Sequence, residues 1–234
     1  MRSLPVVLLL GGPLAGASVC EPPPGPDAGP AVDGGTEVPV VIIGDPQADA
    51  EIHLVFRNAD GSGFTDFADG AQVPLILPPQ GGKVTLIGVR AKNVTSRLQV
   101  NAGLSDDCVD PPRIIGREGR PILLVEGADG FGVPDQPDTL QNYANIPVCP
   151  SFASTRDGDG QPYRLELRLT EQHRVPGDTA RTHVVTATVT PECAEPLILA
   201  ECRCECDADF ITGTPRDQQC PTINDNDTDA GVCP

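Results

Sequence analysis

The chain reads as all-β, a sandwich of packed antiparallel strands followed by an irregular, disulfide-rich C-terminal tail. Three observations point there. From residue 38 onward apolar residues recur with period two rather than 3.6, the spacing of strands with one buried face. The 25 glycines and 26 prolines interrupt the chain too often for long helices. Six of the nine cysteines fall after residue 190, in a stretch with little else to bury.

The N-terminus carries an address. Arg2, the apolar run Leu4–Leu10 and the small residues Gly11–Val19 have the order of a secretory signal. The run is far shorter than the ~20 apolar residues a membrane-spanning helix needs. Two ends of that signal remain open. Ala15-Gly16-Ala17 is an A-x-A cleavage site that would release a chain starting at Ser18. The stretch Leu14–Cys20 resembles the lipobox of bacterial lipoproteins, which implies acylation of Cys20 and attachment to a membrane through an N-terminal lipid. Removing Cys20 from an odd count leaves eight cysteines, which can pair. Glu21–Gly35, rich in Pro, Gly and Asp, then suits an extended tether. The expected organisation is signal over 1–19, tether over 20–37, sandwich over 38–206 and tail over 207–234.

Net charge is −17, from 33 acidic against 16 basic residues. Such a surface repels polyanions, which excludes nucleic acid as a partner. An envelope protein or a glycan fits better.

Strands are expected in chain order. Val38–Ile43 is a short apolar run. In Glu51–Arg57, Ile52, Leu54 and Phe56 alternate with His53, Val55 and Arg57, and Asn58–Gly63 supplies turn chemistry. Gln72–Leu77 precedes Pro78-Pro79, and Lys83–Val94 is dense in β-branched residues. Arg97–Ala102 reads as the returning arm of a hairpin with it. Arg117-Glu-Gly-Arg reads as a turn between Arg113–Gly116 and Pro121–Glu126. Gly127–Thr139 reads as loop. Finally, Tyr163–Thr170 and Thr182–Thr190 alternate cleanly about a loop through Pro176-Gly177-Asp178. The sum is about nine to eleven strands at sandwich-like spacing. This resembles an immunoglobulin-like sandwich in general layout, without the tryptophan of antibody cores, since the chain has none.

Few residues carry candidate chemistry. Cys202, Cys204 and Cys206 would point the same way on a strand, which could offer thiolates to a soft metal such as Cu(I) or Zn(II). In an oxidising compartment they bridge to distant partners instead. The expected bridges are Cys108–Cys149 and three among Cys193, Cys202, Cys204, Cys206, Cys220 and Cys233. Asp225, Asp227 and Asp229 alternate as do the first ligands of a Ca²⁺ loop, with Asp157 and Asp159 a fainter echo. No other cofactor is implied. His53, His173 and His183 sit in no nucleophile or metal motif, and no G-x-S-x-G, H-E-x-x-H or phosphate loop occurs. The expected function is therefore a non-catalytic binding or structural module of the cell envelope, its loops Asn58–Gly70, Gly127–Thr139 and Thr155–Gly160 available for recognition. A Ca²⁺- or soft-metal-binding surface protein and a secreted hydrolase with a scattered site are the alternatives.

Overall fold

Alternation decides the interior. In the strand β11 (Tyr163–Glu171) the odd residues Tyr163, Leu165, Leu167 and Leu169 are buried while Arg164 and Arg168 face outward. It pairs antiparallel with β12 (Thr182–Cys193), Leu165 opposite Ala187, as the sequence pattern predicts. The structure, a computed structural model, describes residues 39–151, 155–172 and 180–220. Within these, the remaining strands are β1 (Ile42–Ile43), β2 (Glu51–Arg57), β3 (Phe64–Phe67), β4 (Ala71–Ile76), β5 (Lys83–Lys92), β6 (Val94–Thr95), β7 (Arg97–Asp106), β8 (Arg113–Glu126), β9 (Gly132–Pro134) and β10 (Ala144–Cys149).

The all-β class is what forms, but the immunoglobulin-like layout of two facing sheets is not evident. One ten-stranded sheet closes on itself. β5 joins β4, which runs parallel to β12; β11, β7, β8 and β9 follow in hydrogen-bonded order, and Ala91 of β5 meets Gly132 of β9. Strand spacing says nothing about which edges meet, and here the parallel β4–β12 pair links what would otherwise be separate sheets. A barrel this narrow is filled by side chains. Val89, Leu98, Leu104, Leu165 and Leu167 are among those fully buried inside.

One expected turn dissolves into a strand. Arg117-Glu-Gly-Arg lies in the middle of β8, which pairs continuously with β7 apart from one register shift at Leu104/Ser105. Its glycines serve packing instead. A Cβ on Gly116 would sit 1.9 Å from the Pro147 carbonyl oxygen, so β10 reaches β8 only because that position is bare. There the wall is sealed by side chains: Glu118 accepts from the Asn145 amide and from Arg120, whose other guanidinium nitrogen donates to the Leu140 carbonyl at 3.0 Å. Likewise β5 and β7 do not form a hairpin. Asn93 turns the chain with φ 61°, and β6 leaves to pair with β1. The loop Gly127–Thr139 contains β9, and Asn58–Gly70 contains β3.

β5 is buried on both faces, which its dense β-branched sequence anticipates. Ile87, Val89 and Ala91 face the barrel interior. Val84 and Leu86 face a second small core with Val55, Ile76 and Tyr143. Gly88 admits the Tyr143 ring, which a Cβ would meet at 2.9 Å. Burial pushes the Tyr143 phenol up to about 12, its hydroxyl donating to the Pro137 carbonyl.

The largest departure from expectation is a helix. Residues Leu199–Cys206 form α1, preceded by a 3₁₀ turn at Pro196–Ile198 and followed by a short α2 (Arg216–Gln219). At about 100° per residue, Cys202 and Cys206 share one face and Cys204 takes the other. The strand geometry that would aim all three alike does not exist. α1 packs across the ends of β5, β10 and β12.

Candidate functional site

The sheet forks on β5. β2 pairs along Ile87–Lys92, while β4 on the same flank meets only Val84 and Thr85. Between the branches lies an open cleft of about 340 Å³. Phe56 and the turn residues Asn58 and Asp60 line one side; Gln72, Val73 and Pro74 of β4 the other; Glu192 of β12 and Ala194 just past its end close it. The turn is held from within. Gly61 and Gly63 have φ of 76° and 111°, a region that disfavours side chains. Asn58 bonds Ser62 and Thr65 through its amide, and the Ser62 amide donates to Asp60 Oδ1 at 2.8 Å. Bonds from the Ser62 hydroxyl and, next, the Ser62 amide hold the Asp60 carboxyl below its ordinary value. Opposite, Gln72 Nε2 donates to Glu192 Oε1 at 2.6 Å. The cleft thus joins two carboxylates and two amides to a floor of Phe56, Val73 and Pro74. Its lining holds no histidine, serine or cysteine.

A second polar cluster lies at the far end of the barrel from α1. Glu171 is buried, and its carboxylate accepts from His183 Nε2 at 2.8 Å, from Arg181 Nε at 2.8 Å and from the Thr95 amide at 2.9 Å. Arg181 also donates to the Asn93 carbonyl at 2.7 Å, which ties the β11–β12 pair to the chain leaving β5. Burial works to raise the Glu171 carboxyl, but the bonds from His183, Arg181 and Thr95 outweigh it and hold the group below its ordinary 4.5. A depressed folded value means that its stabilisation is fully present above the unfolded value and is lost as pH falls through the folded one. Melting temperature should therefore drop on acidification below about pH 4.5. Glu171→Gln should lower stability at pH 7 by about 2 kcal/mol and flatten that acid limb. An unchanged limb in the variant would show that Glu171 does not set it.

The cysteines pair as Cys149–Cys206, Cys193–Cys202 and Cys204–Cys220. Cys149 is joined to α1, not to Cys108, which corrects the expected bridge within the strands; Cys108 is itself disulfide-bonded. The reason is the helix, whose two faces send neighbouring cysteines to different partners. Such bonds belong to an extracellular or otherwise oxidising environment. Cys20, Cys233, Asp225, Asp227 and Asp229 lie outside the described residues, as does His173. The fainter acidic echo is structural: Asp157 accepts from the Ala208 amide and Asp159 from the Cys193 amide, which clamps the loop Thr155–Gly160 to the end of β12 and to the chain just past α1. In the loop Gly127–Thr139, Phe131 is pinned under Arg90 at 4.6 Å and beside His53 at 5.3 Å. Among the described residues no helix is long and apolar enough to cross a membrane.

Sequence reading found the turn Asn58–Gly63 but missed Gln72 and Glu192 as partners, because a contact between parallel strands 120 residues apart leaves no local signal. Compared with models of protein families the chain matches none, and no curated protein aligns with it.

Proposed function

We propose that the chain is exported, anchored through lipid on Cys20, and serves as a non-catalytic binding module of a bacterial cell envelope, taking a polyhydroxylated ligand of glycan type in the fork cleft. The observation that carries the reading is the cleft itself. Carboxylate and amide groups of Asp60, Glu192, Asn58 and Gln72 suit sugar hydroxyls, and Phe56 with Pro74 offers an apolar surface for a sugar ring face. The hydrogen-bonded turn holds its side of the cleft before a ligand arrives, which limits the ordering cost of binding. The disulfides support an exported location, and the signal-like order of the N-terminal sequence is in keeping with it.

Two measurements test this. The intact mass of the mature protein, with and without reduction, reports acylation at Cys20; a chain beginning at Ser18 without lipid would remove the anchor. Titration with oligosaccharides from envelope polymers, followed by calorimetry, should give saturable binding that Glu192→Gln or Gln72→Ala weakens about tenfold, or ~1.4 kcal/mol. Equal affinity in both variants would move the ligand away from the cleft.

A further inference from the structure

The two disulfides that hold α1 lie against each other. The sulfurs of Cys193, Cys202 and Cys206 are all within 4.8 Å of one another, and Cys149 is bonded to Cys206, so four sulfurs occupy one small volume. All four residues are buried. They come from three elements: the end of β10, the end of β12, and two positions one helical turn apart on α1. Cys204 is excluded by the helix, since it lies on the opposite face and bonds Cys220.

We propose that, with both disulfides reduced, Cys149, Cys193, Cys202 and Cys206 form a tetrahedral thiolate site that binds one Zn²⁺. Zinc–sulfur bonds of about 2.3 Å put tetrahedral sulfurs about 3.8 Å apart, and the sulfurs of Cys193, Cys202 and Cys206 already lie within 4.8 Å of one another. The ligands arrive from a strand end, a second strand end and a helix, which surround a point rather than line up along a row. The surroundings exclude water. Gly158 packs so closely that a Cβ there would meet Cys149 Sγ at 2.4 Å, and its amide donates to the Cys206 carbonyl. Lys83, wholly buried, is the register neighbour of Cys149 on β5 and adds to the dry packing on that side. The site would dock α1 as the disulfides do, with the metal replacing two covalent links. This inference is independent of the cleft.

The electrons balance with a phosphine reductant. Each disulfide accepts two electrons from one phosphine, which leaves as the phosphine oxide with oxygen from water, and two thiols result. Four thiols then bind one Zn²⁺ and release protons as they become thiolates.

The test is an anaerobic Co²⁺ titration of the phosphine-reduced full chain, read by the visible bands of tetrahedral cobalt–thiolate. One Co²⁺ per chain should bind and be displaced by one Zn²⁺. Cys149→Ser and Cys202→Ser should each weaken it by about 100-fold, and Cys204→Ser should leave it intact. Circular dichroism runs in parallel: if reduction unfolds the chain, Zn²⁺ should restore the β signal, because binding is coupled to folding. Absence of the tetrahedral spectrum, Co²⁺ bound as tightly by Cys149→Ser as by the parent, or a spectrum lost in Cys204→Ser would each overturn the proposal, as would a reduced chain that Zn²⁺ neither binds nor refolds.

Discussion

Lys83→Met should destabilise the protein by about 3–5 kcal/mol, the cost of stranding a buried charge. Lys83 points into the end of the barrel, on the same face of β5 as Ile87 and Val89, where a lysine has no access to water. Its Nζ lies 2.6 Å from Glu205 and 3.3 Å from Glu201, one turn apart on α1. The side chains of Lys83 and Glu205 are 0% and 6% exposed, whereas that of Glu201 is 32% exposed and can turn to solvent. Methionine fills the volume but leaves the Glu205 carboxylate without its cation. The effect should therefore be undone by a second change: Lys83→Met with Glu205→Met should recover most of the loss, because a buried pair exchanged for apolar residues is often neutral or better. Chemical denaturation of the single and double variants measures this. A single variant as stable as the parent would mean that the pair contributes nothing to docking α1.

Removing the Cys149–Cys206 bridge by Cys149→Ala with Cys206→Ala should cost about 4 kcal/mol in the chain-entropy account, since it closes a loop spanning 57 residues. The Cys193–Cys202 bridge spans only 9 and should contribute about 2.5 kcal/mol. The order of the two losses is the sharper expectation. Both bridges hold the same helix face, so a difference between them reports the length of loop closed in the unfolded chain rather than the packing of α1 in the folded one. Equal losses would argue that docking of α1, not loop closure, governs both. Melting of each alanine pair under non-reducing conditions decides between them.

Some elements were legible because their signal is local. β11 and β12 follow from strict alternation, the turn at Asn58–Gly63 from Asn, Asp and Gly chemistry, and β5 from an apolar run buried on both faces. α1 was not legible. Eight residues with three cysteines and two glutamates carry no apolar period, and this helix is held by two buried disulfides and the Lys83 ion pair rather than by an amphipathic face. β8 was misread as two strands because Glu-Gly resembles a turn. Gly116 and Gly119 are there for a different reason: side chains would strike Pro147 and Asn101.

The amino-acid sequence by itself determined the strand-rich class, the acidic surface and the supply of cysteines, because alternation, charge and composition act residue by residue. Only the tertiary structure decided that the sheet closes, that Cys149 meets Cys206, and that Gln72 faces Glu192 across a fork. Each of these depends on which strand edges come together over long separations, and pairing of edges is settled by burying side chains from the whole chain at once.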